Sequence, residues 1–153
     1  MKFVRSLAVL LACAAALALA SAGASAIVVQ HGIAGVRLHM TKSQVRALLG
    51  APAHVQTGRN DFGRFTTFRY PRVSVTFQSG AKVTGMRTSS PLERTTAGVG
   101  VGSTRAKVKS GVPGVRCQSQ QCVVGRFTPG RVVTSFILRH GRVSAVVVGI
   151  VID

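Results

Sequence analysis

Apolar and polar residues alternate along Val73-Ser74-Val75-Thr76-Phe77-Gln78, a period of two that predicts a strand with one buried face. Ser79-Gly80-Ala81 supplies a turn, and residues 82–88 supply the returning strand. A similar arrangement follows as residues 132–138, a His140-Gly141 turn and residues 142–152. The stretch 143–152 is apolar at nearly every position, which predicts a central, covered strand; its rival is an exposed apolar patch. Further hairpin turns are expected at residues 59–63 and between Cys117 and Cys122.

Before the first group of strands the period lengthens to that of a helix. Thr41 and Gln44 have the spacing of a capping box, and Met40 and Val45 that of a hydrophobic staple. Val45, Leu48 and Leu49 form one apolar stripe, and Gly50 and Pro52 end the helix. A weaker copy starts at Thr104, continues through Val108 and stops at Gly111 and Pro113. Both first turns carry bases, Lys42 in one and Arg105 and Lys107 in the other. Such charges oppose the helix dipole.

The matches extend beyond the helices. Val36, Thr41 and Val45 recur at Val99, Thr104 and Val108, and Gly63-Arg64-Phe65-Thr66 recurs identically as Gly125-Arg126-Phe127-Thr128. Val73 and the Lys82-Val83-Thr84 step recur as Val133 and Arg142-Val143-Ser144. Matches in constant order predict two copies of a unit of about 60 residues. A unit that short is marginal alone. The expected fold is therefore α+β: two tandem units, each a short helix packed on three or four antiparallel strands, sharing one sheet. The boundaries are 27–92 and 93–153.

Residues 1–26 precede these units as a signal peptide. Lys2 and Arg5 form a positive n-region, residues 6–20 an apolar run, and Ala24-Ser25-Ala26 a small-x-small cleavage site. The alternatives are an uncleaved anchor and lipidation at Cys13 within Leu10-Leu11-Ala12-Cys13. Cleavage after Ala26 lowers the formal charge from +17 to +15 and leaves no second apolar run of spanning length.

Charge narrows the function. The 20 Lys and Arg face three acids, Asp61, Glu93 and Asp153. A glycosidase carboxylate pair or a polycarboxylate Mg²⁺ or Ca²⁺ site would need almost all of them. No G-x-S-x-G elbow is present, and Gly98-Val99-Gly100-Val101-Gly102 lacks the Walker lysine, so it reads as a loop entering the second helix. The four histidines are scattered, which leaves Cys117 and Cys122 without partners for zinc. In an exported protein their C-x4-C spacing predicts a structural disulfide. No cofactor and no catalytic residue are expected.

The sequence Leu38-His39-Met40-Thr41, continuing through Val45, Leu49-Gly50 and Pro52, resembles the helix opening of the SmpA/OmlA (BamE-like) superfamily. In tandem it resembles the secreted β-lactamase inhibitory proteins. The resemblance implies helices on one face of an antiparallel sheet and a protein that acts by binding. It does not imply β-lactamase as target: here only the second copy has a cysteine pair, Trp is absent and aromatics are 5% of the chain.

The expected function is that of an exported, non-catalytic binding module whose basic face engages an acidic protein or an anionic cell-envelope polymer. Specific nucleic-acid binding is not expected, because no aromatic stacking platform accompanies the bases. Arg64 and Arg126, from the repeated Gly-Arg-Phe-Thr, are the first candidates, joined by Arg69, Arg131 and Arg139. Against this stands an outward-pointing strand-start motif on a solvated surface that serves solubility. The alternative function is a lipid-anchored envelope scaffold of the BamE-like kind.

Overall fold

The computed structural model describes residues 27–153; the expected signal peptide and Cys13 lie outside the described residues. Three two-residue strands open the chain, β1 (Ile27–Val28), β2 (Gly32–Ile33) and β3 (Val36–Arg37), and pair into a small antiparallel sheet of their own. Helix α1 (Lys42–Leu49) leads into four strands: β4 (His54–Asn60), β5 (Gly63–Arg69), β6 (Ser74–Gln78) and β7 (Gly85–Thr88). Helix α2 (Arg105–Gly111) precedes β8 (Arg116–Cys117), β9 (Gln121–Val124), β10 (Val132–Arg139) and β11 (Arg142–Ile150). The last eight strands form one antiparallel sheet in the order β4-β5-β6-β7-β11-β10-β9-β8.

This is not the expected α+β fold of two helix-on-sheet units. Strand accounts for 45% and helix for 12% of the described residues, so the fold is mostly β. The helices are too short to form a layer: α1 and α2 have eight and seven residues and each buries one side chain completely, Val45 and Val108. The three-stranded sheet supplies part of the missing cover. It buries Ile27, Ile33 and Val36, and Gln30 ties it to β10 by donating from its backbone to Thr134 Oγ1 at 2.7 Å and from its side chain to the Val132 carbonyl at 3.0 Å.

Local signals behave as the chemistry of their residues requires. The Thr41 hydroxyl accepts from the Gln44 backbone at 3.2 Å, and the Gln44 side chain accepts from the Thr41 N–H at 2.8 Å. Thr41→Ala is expected to cost about 1 kcal/mol, measured by urea unfolding. In α2, Thr104 caps through Lys107 N–H at 3.2 Å. His140 and Gly141 turn β10 into β11 with φ of 49° and 74°, the two positive values of a type I′ hairpin turn. Cys117 and Cys122 are register partners joined by a disulfide. Replacing both by serine is expected to lower stability by about 2 kcal/mol through the freed loop entropy of the unfolded chain, read as a lower urea midpoint.

Strand β11 lies between β7 and β10, and its Val143, Val146 and Val148 are buried, so the apolar stretch is covered rather than an exposed patch. Register puts Phe68, Val75, Met86, Val148, Val146, Phe136 and Cys122 on one face. They join Val45, Val99 and Val108 in a single core. The opposite face carries Arg69, Thr67, Ser74, Thr76, Gly85, Arg87 and Val147, none fully buried.

Candidate functional site

The turn Tyr70-Pro71-Arg72-Val73 between β5 and β6 stands between two concavities. It is closed by a hydrogen bond from Tyr70 N–H to the Val73 carbonyl at 2.9 Å. The Tyr70 hydroxyl reaches the carbonyl of Gly50, the C-cap of α1, at 3.2 Å. Burial raises the Tyr70 phenol above its usual range, while the neighbouring Arg46 pulls the other way.

On one side of the turn lies a mostly apolar cleft of about 760 Å³. Val28 and Val36 of the small sheet, Leu49 of α1, and Tyr70 and Val73 line it, with His31 and Arg37 exposed at its rim. Glu93 also borders it. That carboxylate is 0% exposed and forms an ion pair with Arg72, whose side chain is 53% exposed. Among the described residues neither Glu93 oxygen has any other hydrogen-bond partner. The pair joins the β5–β6 turn to the segment that follows β7.

On the other side lies a polar groove of about 460 Å³, whose donors are Arg69, Arg87, Ser74, Ser89 and Ser90 together with Arg72. Its floor follows from register. Arg69 pairs with Ser74, and Ser74 pairs with Arg87, so the three stand in one row on the open face. The spacing of antiparallel strands separates the two arginines by about 10 Å at their Cα atoms.

The five arginines singled out from sequence do not converge. Arg69 lies in the groove and donates to Gln56 Oε1 at 2.8 Å. Arg64 is the second residue of β5, directly opposite Arg59 of β4 and exposed. Arg126 and Arg131 share a different hollow with Gln30, in the connection between β9 and β10. Arg139 ends β10 beside the His140 turn. The two Gly-Arg-Phe-Thr segments differ in structure: residues 63–66 lie within β5, whereas 125–128 form irregular backbone and leave Phe127 60% exposed.

Hydrogen bonding divides the bases into two groups. Arg94, Arg105, Arg116 and Arg142 donate to backbone carbonyls of Gly98, Ser119, Gly125 and Gly102, at 2.6–3.1 Å, and so fasten loops. Lys42 lies over the Phe77 ring and donates to Thr66 Oγ1, and Arg46 lies over the Phe68 ring. By contrast Arg64, Arg87, Arg126, Arg131 and Arg139 have no side-chain hydrogen bond or ion pair among the described residues.

The acids are dispersed. Asp61 occupies the β4–β5 hairpin tip, Glu93 is buried beneath Arg72, and Asp153 ends the chain. Among the described residues no three of His, Cys, Asp and Glu are grouped to hold a metal ion. The chemistry available in the groove is hydrogen-bond donation from guanidinium and hydroxyl groups, which suits an anion. Sequence reading missed Arg87 as a leading candidate and the serines altogether. No local pattern in the sequence marks them, because Arg69, Ser74 and Arg87 share one face only through the register of β5, β6 and β7.

No family model matches the chain, and no curated protein matches it. Among solved structures it is similar to an extracellular protein containing an SCP domain from Bacillus anthracis, with 9% identity and a TM-score of 0.54. That match covers 73% of this chain, which spans 43% of the length of the other. It is also similar to a DUF4309 family protein from Bacillus subtilis, with 17% identity and a TM-score of 0.48, covering 77% of this chain and 84% of that one. The first likeness is one of fold alone. Among the described residues no helix is long and apolar enough to cross a membrane.

Proposed function

We propose that this protein is an exported, non-catalytic binding module whose basic surface engages an acidic protein or an anionic cell-envelope polymer. The observation that carries this reading is the unequal fate of the charges. Of three side-chain carboxylates, one is buried under an arginine, while Arg64, Arg87, Arg126, Arg131 and Arg139 are exposed without partners among the described residues. A surface of one sign raises the local concentration of anions and repels itself in their absence. The disulfide supports export, since thiols remain reduced in the cytosol.

The test is retention of the purified protein on cell-envelope and culture-medium fractions at about 0.05 and about 0.3 M salt. The Debye length shortens to about 5–6 Å at the higher salt, so attraction between exposed charges fades. Retention of one protein at both salts establishes a protein partner; retention on walls only at low salt establishes an anionic polymer. No retention at either salt overturns the reading. Arg64→Glu combined with Arg126→Glu is expected to abolish retention with little change in melting temperature, both residues being exposed. Unchanged retention removes these two positions from the binding surface.

A further inference from the structure

We infer that the groove beside the β5–β6 turn is a phosphate-binding subsite, with Arg69 and Arg87 as its arms and Ser74, Ser89 and Ser90 as its hydroxyl donors. The inference rests on the anion-binding reading above and specifies the group bound and the place.

The register argument comes first. Arg69, Ser74 and Arg87 are successive partners across β5, β6 and β7, so all three side chains leave the same face. Two guanidinium groups on adjoining sides of a serine can both reach an anion above that serine, since each arm spans much of the roughly 10 Å between their backbones. Like charges so placed repel one another, and a bound anion removes that repulsion.

Donor capacity comes second. Arg87 has no partner among the described residues, and Arg69 gives only one N–H, to Gln56. Among the described residues Ser74 and Ser89 make no side-chain hydrogen bond. Ser90 Oγ accepts from the Leu92 N–H at 3.2 Å, which leaves its own hydrogen free to donate. The Thr88 hydroxyl is committed inward, to the Arg72 carbonyl at 2.7 Å, and accepts from the Ser90 N–H at 3.0 Å, which orients the Ser89-Ser90 segment. Donors therefore approach from the sheet and from the loop beyond β7. A tetrahedral oxyanion offers acceptors in all those directions, whereas a planar carboxylate is satisfied by a single guanidinium fork.

Electrostatics comes third. The nearest carboxylate, Glu93, is buried and already paired with Arg72. No acid lines the groove, so an anion entering it meets no like charge.

The experiment titrates the full chain, isotope-labelled, with inorganic phosphate at fixed ionic strength and follows backbone and arginine Nε signals by NMR. Sodium acetate serves as the planar-anion control. The expected result is a saturable shift confined to Arg69, Ser74, Arg87, Ser89 and Ser90, at least about tenfold weaker with acetate. Arg69→Gln and Arg87→Gln should each weaken phosphate at least about tenfold, the effect of losing one charge-assisted bond. Lys109→Gln, exposed on α2 and not lining the groove, should leave it unchanged. A glycerol-phosphate polymer in place of inorganic phosphate separates the sources: tighter binding through the same residues assigns a polymeric phosphodiester, and equal or weaker binding assigns free phosphate.

Shifts spread evenly over all exposed arginines, or equal responses to phosphate and acetate, overturn the subsite while leaving the general anion-binding reading intact. A local phosphate response in a protein that no envelope fraction retains overturns that reading instead and leaves the subsite standing.

Discussion

Phe136→Ala is expected to lower the unfolding free energy by about 3–5 kcal/mol, the usual range for emptying a buried aromatic site. Phe136 is fully buried in β10 and lies between its register partners, Cys122 of β9 and Val146 of β11. All three belong to the core beneath the sheet's covered face, so the cavity would open where strands from both sides of β10 meet. A domain of this size is stabilised by only about 5–15 kcal/mol in total. The loss should therefore appear as a large fall in the urea midpoint. Phe127→Ala provides the contrast. That ring is 60% exposed in the irregular segment after β9, and its removal should change stability by no more than about 0.5 kcal/mol. Equal effects from the two substitutions would contradict the core assignment.

Arg72→Met is expected to cost about 3 kcal/mol, the low end for breaking a buried pair because Arg72 itself is partly solvated. The cost arises from Glu93, whose carboxyl at 0% exposure would lose its one partner among the described residues. Arg72→Met combined with Glu93→Met should recover most of the loss, since a buried ion pair replaced by apolar side chains is often neutral. The double-mutant cycle thus separates the charge effect from the packing of the turn. If Arg72→Met shifts stability by less than about 0.5 kcal/mol, the pair does not hold the turn against the segment after β7. The result bears on function because Arg72 and its turn form the wall shared by the cleft and the groove.

Several features were legible in the chain because their interactions are local. Thr41 and Gln44 are three residues apart, and so are the donor and acceptor they satisfy. His140-Gly141 closes a two-residue hairpin loop, and Cys117 and Cys122 meet across a short one. The alternation of Val73, Val75 and Phe77 gives a strand with one buried face because successive side chains of a strand point to opposite sides.

Other features were not legible. Residues 27–37 form strands of only two residues, too short for a period to register, yet they cover part of the core. The identical Gly-Arg-Phe-Thr segments look equivalent but are not, because 63–66 has strand neighbours on both sides in β4 and β6, whereas 125–128 belongs to no strand. Nothing local in the sequence marks Glu93 as buried, because its partner Arg72 lies 21 positions earlier in the chain. The same holds for the candidate site.

By itself, then, the sequence determined the charge imbalance, the helix caps, the turns and the alternation of the long strands, all of which depend on residue type or on neighbours a few positions apart. The tertiary structure decided that the fold is mostly β, which carboxylate is buried, and which arginines fasten loops and which have no partner among the described residues. It also brought Arg69, Ser74 and Arg87 into one row beside Ser89 and Ser90. The physical reason is that strand register is a relation between distant segments, and shifting it by one residue would send each of these side chains to the opposite face.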